Sequence, residues 1–347
     1  MNTAHQLIAS KVTLQELFNR THFRKPFSKD LLELDCAVET DRICAFIRRE
    51  VLQNFRKKGV VVGLSGGIDS STVAALAARA LGPERVLALL MPETDSSAET
   101  LQLSQLMAEH LGIKAIVEDI SAALEANGCY RRRDDAIRLV VPEYGPGWKS
   151  KLVLPNVVNS ESLRIFSVVA QAPDGTQVAR PLSLEAHLGI IAATNFKQRT
   201  RKMLEYYHAD RLNYAVAGTP NRLEYDQGFF VKLGDGAADL KPIAHLYKTQ
   251  VYELAEYLGV PDAIRSRPPT TDTYSLPQTQ EEFYFCLPYQ IMDLVLYGKC
   301  NGYSPAEIAP EIGLTSEQAE RVFRDIDAKR RVARYLHAAP VLVHEID

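Results

Sequence analysis

Residues 59–81, GVVVGLSGGIDSSTVAALAARAL, constrain the fold of this chain more than any other stretch. GVVVGL (59–64) is a continuous apolar run, rich in valine and too short for a buried helix, and it reads as a central parallel strand. Ser71–Leu81 is strongly helical in composition and is stopped by Gly82-Pro83. A strand that enters a helix through a glycine–serine loop gathers loop N–H groups and the positive helix end around one point, which favours an anion. The glycines let the backbone approach phosphate oxygens, and Ser65, Ser70 and Ser71 add hydroxyl donors. Asp69 would repel a bare phosphate, so its position makes sense with a divalent cation bridging the two. The segment is neither GxGxxG nor GxxxxGK(S/T), so the dinucleotide fingerprint and the P-loop both fail. A plainer reading is a turn whose Ser70 or Ser71 caps the helix.

The flanking pattern sets the fold class. Residues 38–57 carry apolar positions at helical spacing, VLALLMP (86–92) and KAIVEDI (114–120) read as strands, and Ala98–Leu111 reads as an amphipathic helix. This alternation predicts an α/β fold with a doubly wound parallel sheet. The texture changes at 128–184, which is dense in proline and glycine. There LRIFSVVAQ and TQVARPLSL flank Asp174-Gly175 as a β-hairpin would. A helix over roughly 186–208, a strand at 213–217, a helix near 247–258 and a helix over Ser316–Leu336 follow. The expected organisation is an N-terminal helical segment (1–58), a core (59–127 and 186–275), an inserted β-rich lobe (128–185) and a helical C-terminal extension (276–347).

Composition mostly excludes. Forty Lys and Arg against 43 Asp and Glu give a net charge of -3, which counts against nucleic acid as a partner. Apolar stretches are short or broken by charge, so no membrane-spanning helix is expected, and no secretory leader is seen at the start. Cys36, Cys44, Cys129, Cys286 and Cys300 form no CxxC pair, which argues against a disulfide framework or zinc site and for a reducing cytoplasm.

SGGIDSS (65–71) resembles the pyrophosphate-binding loop of the ATP pyrophosphatase superfamily, whose members cleave ATP to AMP and pyrophosphate. NFKQRTRKM (195–203), GTPNRLEYDQGFFVKLGDGAADLKPIAHLYKTQV (218–251) and RPPTTD (267–272) resemble signature blocks of ammonia-dependent NAD synthetases, in that family's order. The resemblance spans about residues 40–120 and 190–275, with Lys329-Arg330 near the end. It implies adenylation of the nicotinate carboxylate of deamido-NAD by ATP, followed by displacement of AMP by ammonia.

Carried over residue by residue, Gly63, Leu64, Ser65, Gly66, Gly67, Ile68, Asp69 and Ser70 match the phosphate loop. Asp69 and Glu224 match magnesium ligands, and Thr219, Lys248 and Thr270 match ATP contacts. Asp69 and Lys248 would be catalytic, Lys248 as a cation on the developing negative charge. Arg199, Lys232 and Asp239 match deamido-NAD contacts, and Lys329 matches a basic residue of a C-terminal His-Lys-Arg element. The resemblance also implies a homodimer. Only about 58 residues precede the loop, so the expected nitrogen source is free ammonia or ammonia from a separate glutaminase partner.

Plainer readings accompany these assignments. Taken singly, Glu224 and Asp239 read as solvated loop carboxylates, Lys248 as a snorkelling side chain, and Arg199 with Arg201 as a solvated helix face. Lys329, Arg330, Arg331 and Arg334 read as a basic helix face, Arg131–Arg133 as a solvated charge run, and His245 as a packing or loop-tying residue. The insert, Ala328 in place of the family's histidine, and the aromatic-rich stretch 268–298 depart from the family pattern. They support an alternative, an amide synthetase acting on another carboxylic acid such as a sugar acid or natural-product intermediate. A third reading, a nucleotide-binding regulator without turnover, predicts loss of a magnesium carboxylate or the ATP lysine. The chain keeps Asp69, Glu224 and Lys248.

Overall fold

The computed structural model describes residues 24–154, 165–270, 273–285 and 287–344. Residues 1–23 of the expected N-terminal helical segment, Thr271 and Asp272 of the RPPTTD block, and Cys286 therefore lie outside the described residues.

Helix α1 (Cys36–Arg48) starts at Asp35, whose side chain accepts the Val38 N–H at 3.0 Å. The helix expected over 38–57 changes winding at Arg49, where Arg49–Asn54 forms a π-helical turn. Strand β1 (Val60–Gly63) leads into α2 (Ile68–Leu81), β2 (Val86–Leu90), α3 (Ala98–Leu111), β3 (Lys114–Val117) and α4 (Ser121–Ala126). Strand β3 ends earlier than expected because Asp119 turns to accept the Ser121 N–H at 2.8 Å.

The segment read as a β-rich insert opens with helix α5 (Cys129–Arg138), which buries Cys129, Arg133, Ala136 and Ile137 at helical spacing. Strands β4 (Lys149–Val153), β5 (Ser167–Gln171) and β6 (Gln177–Pro181) follow as an antiparallel sheet. The β5–β6 hairpin turns at Asp174-Gly175 as expected: Gly175 has φ +90°, and Asp174 accepts the Thr176 N–H at 2.9 Å. Leu152, Val168 and Ala170 pack with Tyr274 and with Ala186 and Ile190 of helix α6 (Leu184–Leu212).

After β7 (Ala215–Ala217) come the short α7 (Arg222–Gln227), α8 (Lys248–Tyr257) and α9 (Asp262–Arg265). Helices α10 (Tyr289–Cys300), α11 (Pro305–Ile312) and α12 (Ser316–His337) form a further core with Phe27 and Leu32.

The central sheet has the parallel order β3-β2-β1-β7, pairing Val60 with both Val86 and Ala215. The two-residue strand period divides its side chains between two cores. Val60, Val62, Val86, Ala88 and Leu90 pack with α1, α2, α3 and α8. Val61, Leu87, Leu89 and Val216 pack on the opposite face with Leu124 of α4 and with α6. The sheet is thus covered on both faces, the doubly wound arrangement expected from the sequence.

The loop between β1 and α2 sits at the carboxyl end of the sheet, where ligands of open α/β sheets bind. Gly66 there has φ +67°, and a Cβ on it would lie 2.8 Å from Leu103 Cβ and Thr100 O of α3. Gly66→Ala is expected to lower stability by about 1–3 kcal/mol. An unchanged urea midpoint would refute the tight apposition of loop and α3.

Candidate active site

The plain capping reading of the glycine–serine loop fails on geometry. The N-cap of α2 is Gly67, with no side-chain acceptor for the first-turn N–H groups. Ser70 Oγ instead donates to Gly67 O at 3.1 Å and accepts the Ser65 N–H at 3.2 Å. The helix N-terminus thus opens into a cavity of about 570 Å³. Gly63, Leu64, Ser65, Gly67, Ile68, Asp69 and Ser70 line it from the loop, and Thr219, Glu224, Lys248 and Thr270 line it from three other segments. Gly66 does not line it and packs on α3.

Lys248, the first residue of α8, is 2% exposed. It does not snorkel, because its Nζ pairs with Asp69. Two carboxylate oxygens of Asp293 accept the Lys248 and Thr249 N–H groups at 3.1 and 2.7 Å, which anchors this helix start. Asn221 Nδ2 donates to Asp69 Oδ1 at 3.1 Å. Glu224 accepts the Asn221 N–H at 3.1 Å and the Gln280 side-chain amide at 3.1 Å. Neither carboxylate is a free loop acid. Burial first, then the charge of Asp69, pushes the Glu224 carboxyl up to about 8. Burial opposes the charge of Lys248, yet Asp69 and Glu224 raise its pKa on balance.

Asp69 and Glu224 share one ammonium, so ionising both carboxyls leaves negative charge under-compensated, and that suits a divalent cation. Among the described residues no group of three or more His, Cys, Asp and Glu could hold a metal. Two carboxylates completed by substrate oxygens and water fit magnesium, which is bound in that manner.

Helix α6 turns Arg201, read from the sequence as part of a solvated face, to the cavity and adds Lys197 and Glu205, which the sequence reading did not single out. Lys197 is fully buried, donating to Glu93 Oε1 at 2.9 Å, Asp95 Oδ2 at 2.6 Å and Thr273 O at 2.7 Å. Arg201 lines the cavity and donates to Met91 O at 3.2 Å, and Glu205 lines it while paired with Lys202 at 2.5 Å. The signal for this face was the spacing of four between Lys197, Arg201 and Glu205. Arg133 is likewise not solvated: its side chain is 9% exposed and pairs with Asp95 at 2.5 Å and Asp134 at 2.8 Å. Asp235, also on the cavity wall, is half-buried, and loss of solvent around it raises its carboxyl pKa.

The four residues matched to the second substrate do not line the cavity within one chain. Arg199 is exposed and donates to Lys232 O at 3.3 Å. Lys232 Nζ reaches Tyr335 O and Ala338 O at 2.8 and 3.1 Å, at the end of α12. Asp239 accepts the Val216 N–H at 2.7 Å and the Tyr206 hydroxyl at 3.2 Å. Lys329 belongs to no solvated basic face, because its buried Nζ donates to Tyr284 O at 2.7 Å and pairs with Asp325 at 2.8 Å. His245 ties α1 to its loop through Glu39 at 2.6 Å, as expected. The aromatic stretch divides: Tyr274, Phe283 and Tyr284 line the cavity, whereas Leu287 and Met292 pack in a core.

A family model described as NAD synthase matches residues 39–138 and 159–333. The NH(3)-dependent NAD(+) synthetase of Mesorhizobium japonicum is 60% identical over 316 residues, covering 91% of this chain and 99% of the relative. That of Thermotoga maritima is 36% identical over 259 residues, covering 74% and 85%. Among solved structures, the NMN synthetase of Francisella tularensis superposes with TM-score 0.62 at 22% identity, covering 89% of this chain and 99% of the other. The NH3-dependent NAD synthetase of Campylobacter jejuni gives 0.60 at 22%, covering 90% and 100%. At that identity the two structures speak for the fold.

Removing the buried cation leaves Glu93 without its cation and Asp95 with Arg133 alone. Lys197→Met is expected to destabilise the protein by about 3–5 kcal/mol in denaturant unfolding. A loss below about 1 kcal/mol, the value of an exposed pair, would refute its bridging role.

Proposed function

The chain belongs to the NAD synthase family, and from that premise we propose that it makes NAD from deamido-NAD, ATP and ammonia. AMP and pyrophosphate are the other products. The observation that carries this reading is the Asp69–Lys248–Glu224 centre at the open N-terminus of α2, in a cavity large enough for nucleotide substrates. The loop N–H groups, with the hydroxyls of Ser65, Ser70, Thr219 and Thr270, receive the ATP phosphates. Lys248, held by Asp69 and by the helix start, faces the charge that develops on departing pyrophosphate. Asp69 and Glu224 would hold magnesium, which would supply further neutralisation of the leaving group. The walls keep water from the acyl-adenylate until ammonia attacks. Asp235, whose carboxyl is raised by burial, is suited to take the proton that the attacking nitrogen loses.

The insert does not favour another acid. The Mesorhizobium relative aligns with 91% of the chain and still bears the NAD synthetase name. Arg199 and Lys232 lie outside the single-chain cavity, beside exposed Met203, Tyr207, Leu233 and Tyr335. This surface reaches the cavity rim at exposed Val332. A second copy covering it as a homodimer would bring these basic residues to the dinucleotide. No helix among the described residues is long and apolar enough to cross a membrane. The free thiols of Cys36, Cys44, Cys129 and Cys300 fit a reducing cytoplasm.

Incubation with ATP, magnesium, ammonium and deamido-NAD should yield NAD and AMP by mass spectrometry, and ADP in place of AMP would overturn the reading. Asp69→Ala and Glu224→Ala should each lower kcat by about a hundredfold or more. For the assembly, Met203→Glu should shift the sedimenting species toward monomer and raise KM for deamido-NAD above that for ATP. A monomeric wild-type enzyme with full activity would contradict the shared site.

A further inference from the structure

The lobe formed by β4–β6 has its own sheet, yet its chain reaches the cavity. Phe166, just before β5, and His187, in the first turns of α6, both line it. Their rings stack with centroids 4.7 Å apart and planes 19° from parallel, and Phe283 meets Phe166 at 5.9 Å. His187 Nδ1 is buried and has no hydrogen-bond partner. Burial lowers the imidazole pKa, so the ring is neutral near pH 7 and offers one donor and one acceptor nitrogen. A buried polar atom without a partner is costly, and a ligand that meets it removes the cost.

Helix α6 gives the scale. His187, Ile191, Thr194, Gln198, Arg201 and Glu205 line the cavity along one helical face. From His187 to Glu205 this face runs about 27 Å at 1.5 Å per residue. Glu205 marks the phosphate-loop end, because a Cβ on Gly63 would lie 2.8 Å from its Oε1. The aromatic group therefore occupies the opposite end. That span exceeds one nucleoside triphosphate and suits two nucleotide substrates laid end to end. The neighbours at this end, the flat rings of Phe166, Tyr274 and Phe283 and the aliphatic Ile191, are uncharged, which suits a ring and not a phosphate.

We infer that Phe166 and His187, with Phe283, form a subsite for the planar heteroaromatic ring of a nucleotide substrate, the ring packing on the aromatic group and its polar edge meeting His187 Nδ1. The inference rests on the reading of this cavity as the ATP and deamido-NAD site. It gives the lobe a role: through Phe166 it builds one end of the substrate cavity.

The test is calorimetric titration of the full-length enzyme with magnesium–ATP and, separately, with deamido-NAD. Phe166→Leu and His187→Ala should weaken one of the two ligands about tenfold and leave the other nearly unchanged. His187→Phe keeps a stacking face but loses Nδ1, and should recover part of that loss. Weaker ATP assigns the subsite to the base of ATP, and weaker deamido-NAD assigns it to a ring of the dinucleotide. Gln177→Ala on the exposed strand β6 is the control and should bind both ligands as wild type does. Unchanged affinity for both ligands in variants that melt like wild type would overturn the subsite. NAD formation by the wild type is assayed in parallel. Its absence would overturn the assigned activity and leave the two affinities to decide the subsite.

Discussion

A single buried ammonium holds the walls of the cavity together. Lys197 has no exposed surface, and its three acceptors come from distant parts of the chain: Glu93 and Asp95 beyond β2, and the Thr273 carbonyl beyond Thr270. An isolated lysine could not be buried at this depth, so the three segments must converge for the fold to form at all. The same carboxylates continue the network outward. Tyr130 donates to Glu93 at 2.8 Å and Arg133 pairs with Asp95, which ties α5 to the end of the sheet. Thr270 and Thr273 are thereby held over the cavity by a charge that never touches it directly.

The opposite end is organised by an imbalance of charge. Asp69 and Glu224 face one ammonium, Lys248, and burial together with the charge of Asp69 raises the Glu224 carboxyl. The neutral partners, Asn221 and Gln280, fix the orientation of the carboxylates without cancelling their charge. A centre of this kind is stable enough to fold and still favours an added cation. With a chain net charge of -3, polyanionic substrates have to be compensated locally, and under the proposed function this centre with the uncapped start of α2 would do so.

What was legible in the sequence was local. The strand–loop–helix unit, the α/β alternation and the Asp174-Gly175 hairpin each depend on residues close in the chain, and each is present as read. In the polar run NFKQRTRK the buried member could not be told from the exposed Arg199, for the converse reason. Lys197 is buried only because Glu93 and Asp95, about a hundred positions earlier, meet it in space, and a hydrophobicity pattern carries no trace of such a partner. Arg133 and Lys329 share this logic, with Asp95 and the Tyr284 carbonyl as their distant partners. Glu224 is half legible: its capping box with Asn221 is local, whereas Gln280 reaches it from a distant segment.

The place of the insert in the chain explains why it could not be a mere appendage. Its β4–β6 sheet lies between α5 and α6, and α6 continues without a break from the lobe to the sheet. Ala186 and Ile190 at one end pack against the lobe, while Ala209 near the other packs beneath β1. A continuous helix transmits orientation as a rigid rod, so the lobe cannot move far from the sheet without breaking the α6 face that lines the cavity. Lys197, near the middle of that rod, locks it to the sheet and to the segment after Thr270. One helix with a polar, buried face thus fixes the distance between the phosphate loop and the aromatic end, and with it the length of ligand the cavity accepts.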